Sequence, residues 1–268
     1  MKVRTALLAL LLIDIAVGAA WFAGRFGHGR PDALRLFVVW ALPGLVFLCG
    51  MLILPKQGTA TAPRPALGEG VRLPRLLAWI GVAIAVDLAP IGIGHRLGWL
   101  TLTYGDQQLA ASRATTALWA LPLLVLISIR FYERTLRGQL FRTAHETWGA
   151  PTAWMLSLAC GTALALPAVA PGFSWSEPGF VAAALVTAFA RELACTVLYR
   201  ASGIVAAGLF RGTLAFVDFY LIADWLAPVF PSANYVTSTD SFYLLRAASP
   251  LVAALLLARF LRRRTPAA

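Results

Sequence analysis

The chain has 268 residues, of which 59% are hydrophobic and only 13% charged, with a mean hydropathy of +0.74. Soluble domains carry about a quarter charged residues, so this composition excludes an ordinary soluble fold and predicts an all-α polytopic membrane protein. The net charge of +11 does not mark a nucleic-acid binder, because the basic residues lie between and after apolar runs rather than on one soluble face.

A membrane span needs about 20 apolar residues. Eight segments qualify: 6–24, 34–54, 76–93, 114–131, 151–170, 179–199, 203–227 and 243–261. Runs of this length exceed a barrel strand, so each is expected to be a helix. The first, after Lys2 and Arg4, resembles a signal peptide in charge order. Its length, the interruption at Asp14 and the poor cleavage site at Gly24-Arg25 favour a retained span. It pairs with the second in an N-terminal hairpin, 1–54. A linker rich in Pro, Gly, Thr and Ala follows at 55–75, and then a six-helix core at 76–268.

Asp87 lies in the third span. The segment after it, 94–113, is moderately amphipathic and is expected to lie along the interface, with Trp99 and Tyr104 at headgroup level. The fourth span continues as a helix past Arg130, so that Glu133 and Arg137 fall near its cytoplasmic end. Arg191-Glu192 interrupts the sixth span, and Arg211, Asp218 and Asp224 follow along the seventh. The polar stretch 228–241, rich in Pro, Ser and Thr, reads as a structured external loop before the last span.

Charge asymmetry orients these segments. Lys2, Arg4, Lys56, Arg64, Arg72, Arg75, Arg200, Arg259, Arg262, Arg263 and Arg264 share one side when both ends are cytoplasmic, and the connections 171–178 and 228–241 contain no Lys or Arg. The expected location is a bacterial inner membrane. Cys49, Cys160 and Cys195 all sit in apolar segments and read as packing residues.

Ionisable groups inside a bilayer cost roughly 2.5–3.5 kcal/mol each on insertion scales, so they usually face the protein interior and serve a role there. Glu133 and Arg137 stand four apart, which puts them on one helical face and lets them pair. Arg211 and Asp218 are seven apart, two turns on one face. Glu192 needs an internal donor, whereas Arg191 has a snorkelling route if its span slides. The expectation is an interior network of Glu133, Arg137, Glu192, Arg211 and Asp218 joining spans four, six and seven. A ligand-binding or catalytic cavity built from the same groups is the alternative. No cofactor or metal site is expected. His28, His95 and His145 fall in loops or at the interface, and the chain contains neither His-x-x-x-His nor Cys-x-x-Cys.

The stretch Tyr132-Glu133-Arg134-Thr135-Leu136-Arg137-Gly138, the helix end at Trp148-Gly149-Ala150-Pro151 and the later Leu198-Tyr199-Arg200-Ala201-Ser202-Gly203-Ile204 carry a resemblance. Over about 115–227 the chain resembles the CPBP family, the CAAX-prenyl-protease-2 or Abi type of intramembrane endopeptidase. The family's first motif is Glu-Glu-x-x-x-Arg; here the second glutamate, the arginine and the glycine match, and Tyr132 stands at the first glutamate. Pro167 falls near the place of the family's first motif histidine, and Arg211 at that of the second. The resemblance implies an eight-span frame and a site in which Glu133 and Arg137 are the catalytic remnants. Active members use glutamates and histidines to activate water. A chain with Arg211 at a histidine's place is expected to bind rather than cleave: a membrane protein, a hydrophobic peptide or a lipid. An endopeptidase still using Glu133 is one alternative. A small transporter using Asp14, Asp87 and Glu192 is another.

Overall fold

The computed structural model describes residues 8, 11–12, 73–103, 120–169, 178–217, 234–238 and 240–262. The expected hairpin 1–54, apart from Leu8, Leu11 and Leu12, and the linker up to residue 72 lie outside them, as do Asp14, Asp218 and Asp224. The described chain is helical, with one two-stranded sheet.

Helix α1 (Leu73–Arg96) begins inside the expected linker, with Pro74 in its first turn, where a missing N–H removes no helical hydrogen bond. Trp79, Ala83, Val86, Asp87 and Gly94 recur at helical spacing on its buried face, while Leu77 and Ile93 point outward. Gly98 (φ 71°) ends it: Trp99 N–H donates to Gly94 O at 2.8 Å and Gly98 N–H to His95 O at 3.2 Å. This is the paired cap of a Schellman turn, which needs a left-handed residue where glycine stands.

The cap turns the chain into strand β1 (Leu100–Thr103), which pairs antiparallel with β2 (Asn234–Ser238), with a register shift between Thr101 and Leu102. The expected interfacial segment 94–113 is therefore a helix end and a strand in its described part. A four-residue Leu-Thr alternation is too short to declare itself in sequence. The pairing also joins residues 100–103 to residues 234–238, beside the end of α1.

Helix α2 is a continuous helical run over 120–148 that contains two π turns, Ser128–Glu133 and Leu136–Phe141. It carries Arg130, Glu133, Arg134 and Arg137 along its middle, so the helix runs on well past Arg130. Gly149 (φ 85°) separates it from α3 (Ala150–Val169).

Helix α4 (Pro178–Phe216) is two limbs joined at Gly203, whose φ of 82° and ψ of −174° fall in a region essentially restricted to glycine. A straight helix would separate Glu192 from Arg211 by about 28 Å, at 1.5 Å per residue. Their side chains instead touch at 2.5 Å, so the limbs fold back on each other. The reversal falls at the first residue of the expected seventh span, 203–227. Helix α5 (Asp240–Arg262) completes the bundle.

Helix α4 is the hub. At the sheet end its Ala183, Ala184 and Ala188 pack with Leu100, Leu166, Phe242 and Tyr243. Farther along, Ala194, Cys195 and Leu198 of the first limb meet Ala206, Ala207 and Phe210 of the second, together with Trp79 and Ala83 of α1 and Ala254 of α5. Small side chains let the backbones approach closely, which is how helices associate where apolar burial gives no preference for protein over lipid. Pro74–Arg96, Ala182–Phe216 and Asp240–Arg259 are long and apolar enough to cross a membrane, and Ala150–Leu166 is a shorter apolar helix. The protein is thus a helical membrane protein with at least three such helices among the described residues.

Candidate functional site

Four ionisable side chains from α2 and both limbs of α4 close into a ring. Arg137 Nη1 donates to both Glu133 oxygens, at 2.6 and 2.5 Å. Its Nη2 donates to Glu192 Oε2 at 2.7 Å and to the Glu192 carbonyl at 3.1 Å. Arg211 closes the circuit, with Nε 2.7 Å from Glu133 Oε1 and Nη2 2.5 Å from Glu192 Oε2. Each carboxylate therefore meets both guanidiniums, and the four formal charges sum to zero. Glu133 and Arg137 are fully buried and Glu192 nearly so, while the Arg211 side chain keeps 11% of its surface.

Local structure explains the arrangement. The i, i+4 spacing of Glu133 and Arg137 presents both to α4, with each residue in one of the two π turns. Such turns recur at functional sites. Thr196, one turn after Glu192, accepts from Arg137 Nη2 at 3.0 Å and Nε at 3.3 Å, and donates to the Glu192 carbonyl at 2.8 Å. On α3, a Cβ at Gly161 would stand 2.2 Å from Glu192 Oε2, so glycine makes the space the carboxylate occupies. On the second limb, Cβ atoms at Gly208 and Gly212 would lie 2.8 Å from the Ile129 Cα and 2.5 Å from the Val125 Cα. This close approach of α2 and α4 delivers Arg211 to Glu133. The Tyr132 ring lies 5.6 Å from the Arg211 guanidinium carbon, within cation–π range.

A second buried pair lies on a neighbouring face of α4. Arg191 bonds Asp87 of α1, and both are almost fully buried. This corrects the snorkelling route for Arg191: the adjacent residues Arg191 and Glu192 lie about 100° apart around one helix, and Asp87 faces the first. Ser249 of α5 donates to the Val86 carbonyl at 2.7 Å, which adds a polar tie beside Asp87.

Of the residues singled out in sequence, Glu133, Arg137, Glu192 and Arg211 come together, and Asp218 lies outside the described residues. His95 sits by the Leu100 carbonyl at the sheet end, and His145 is exposed near Phe141, so neither joins the ring. Sequence reasoning missed Thr196, Gly161 and the Gly208/Gly212 pair. The last was readable as a Gly-x-x-x-Gly motif in an apolar segment.

Chemically, the ring is a charge-neutral clamp. A general base needs an oxygen about 2.6–3.2 Å from the proton it removes. Glu133 Oε1 accepts from two guanidiniums and Oε2 from one, so its lone pairs are largely engaged within the protein. Among the described residues, no three His, Cys, Asp or Glu side chains converge as a metal site would require. No protein-family model, curated protein or solved structure matches the chain.

Proposed function

We propose that this chain is a CPBP-like integral protein of the bacterial inner membrane, with about eight spans and both termini cytoplasmic. It has no peptidase activity and acts by binding a hydrophobic partner within the bilayer: a membrane protein, a hydrophobic peptide or a lipid. The observation that carries this reading is the hydrogen bond from Arg211 Nε to Glu133 Oε1 at 2.7 Å. It sets a permanent cation on the one glutamate that the resemblance would make catalytic. An imidazole at that place could take and return a proton; a guanidinium stays protonated and serves as a counter-ion. Tyr132, where the family has its other glutamate, stacks against that cation instead of supplying a second carboxylate. The ring therefore holds α2 to both limbs of α4, and the binding surface is the bundle it fixes in place.

The test is a cleavage assay on the purified full chain with prenylated and transmembrane peptides. The expected result is no product above that of the Glu133→Gln variant. Product that disappears in Glu133→Gln while the fold is retained overturns the reading in favour of an endopeptidase.

A further inference from the structure

Phe141, Trp154, Tyr199 and Arg200 meet where α2, α3 and α4 converge, and Arg142, next to Phe141 on α2, lies within electrostatic reach of Tyr199. Phe141 packs edge-on against Trp154 (centroids 6.1 Å apart) and against Tyr199 (5.8 Å). The Arg200 guanidinium carbon lies 5.6 Å from the centre of the Trp154 ring. Arg142, with 22% of its side chain exposed, donates to Glu146 at 3.0 Å. Among the described residues, Arg200 pairs with no carboxylate and is exposed. Arg200 thus adds to the cluster a positive charge that, among the described residues, no carboxylate pairs with.

Depth along the bundle places this cluster. Ala184 packs with Leu100 at the sheet end, and Arg200 follows sixteen residues later on the same limb. Sixteen residues rise about 24 Å, against a hydrocarbon core about 30 Å thick. With the sheet near one membrane–water boundary, the cluster lies near the other, and Glu192 lies midway between them. Trp and Tyr concentrate at headgroup level, and basic pockets between helices at that level attract anionic headgroups.

We infer that this cluster is a binding site for the headgroup of an anionic phospholipid. The Arg142 and Arg200 guanidiniums face the lipid phosphate, whose two free oxygens suit the planar fork of arginine donors. Trp154 and Tyr199 line the glycerol side, where an amphipathic ring suits the change from phosphate to acyl chain. The inference needs only the membrane-spanning bundle and is independent of whether Glu133 is catalytic.

The probes are dioleoylphosphatidylglycerol and dioleoylphosphatidylcholine, each doped into detergent micelles holding the full chain, with retained lipid read by native mass spectrometry. The glycerol lipid is expected to be retained in preference to the choline lipid. At about 1 kcal/mol per arginine near a membrane surface, Arg200→Gln lowers its affinity about fivefold and Arg142→Gln/Arg200→Gln about thirtyfold. Arg96→Gln, exposed at the sheet end, leaves it unchanged. Should the double variant fail to fold, Arg200→Gln alone decides, because that side chain is exposed. Unchanged retention in Arg200→Gln, or an equal loss in Arg96→Gln, overturns the site. Thermal protection by inorganic phosphate as strong as that by phosphatidylglycerol assigns it to a free anion and overturns the lipid reading.

Discussion

Arg211→Met is expected to destabilise the protein by about 3–5 kcal/mol, read by titrating unfolding with dodecyl sulfate in mixed micelles. The substitution keeps the apolar stem and deletes the guanidinium, leaving Glu133 and Glu192 to share Arg137 alone. The ring then carries a net buried negative charge, and stranding a charge in a low-dielectric interior costs far more than the pair itself contributes. Arg211→Lys recovers part of the loss. A lysine keeps the charge, but its single ammonium cannot reproduce Nε on Glu133 at 2.7 Å together with Nη2 on Glu192 at 2.5 Å. Stability equal to that of the unsubstituted chain in Arg211→Met contradicts the ring as a structural clamp.

Gly212→Leu has the other large effect. The atoms nearest its new Cβ are the Val125 Cα at 2.5 Å, the Val125 N at 2.8 Å and the Leu124 O at 3.0 Å, all backbone. No side-chain rotation relieves that contact, so α2 and the second limb of α4 must separate. Overpacking a tight contact costs about 1–3 kcal/mol and sometimes more. Here the separation also stretches Arg211 away from Glu133, so the expected loss is at the upper end of that range. Gly81→Leu on α1 is the control: nothing lies within 4 Å of its Cβ position, and the same titration leaves it at or slightly above the unsubstituted stability. Equal behaviour of the two variants shows that helix proximity at Gly212 is not required.

The parts of this fold legible in sequence are those with local causes. The pairing of Glu133 with Arg137 follows from a separation of four residues on a helix. The need of Glu192 for an internal donor follows from its position in an apolar run, and Ser202-Gly203 between two such runs marks the reversal in α4. Other features depend on which helices become neighbours. Asp87 and Arg191 are 104 residues apart, and nothing in either local segment names its partner. Thr196 and Gly161 acquire their roles only once Glu192 points between α3 and α2. The π turns around Glu133 reflect hydrogen bonds that slip by one residue within a helix, a small energetic choice that neither composition nor periodicity records. At Glu133 the apolar run gives way to charge, yet the i, i+4 spacing of Glu133 and Arg137 already favours a helix that runs on past Arg130. The helix continues to Trp148, and the ring satisfies Glu133 and Arg137 inside the bundle.

The claim on which this account turns is that Arg211 and Glu133 are energetic partners. A double-mutant cycle measures it directly, with Glu133→Gln, Arg211→Gln and the double variant unfolded by dodecyl sulfate in parallel. Contacting members of one ion network couple by about 0.5–3 kcal/mol, and a pair this buried is expected near 2 kcal/mol, with the double variant more stable than the two single losses sum to. Additive losses, agreeing within about 0.5 kcal/mol, would contradict the account.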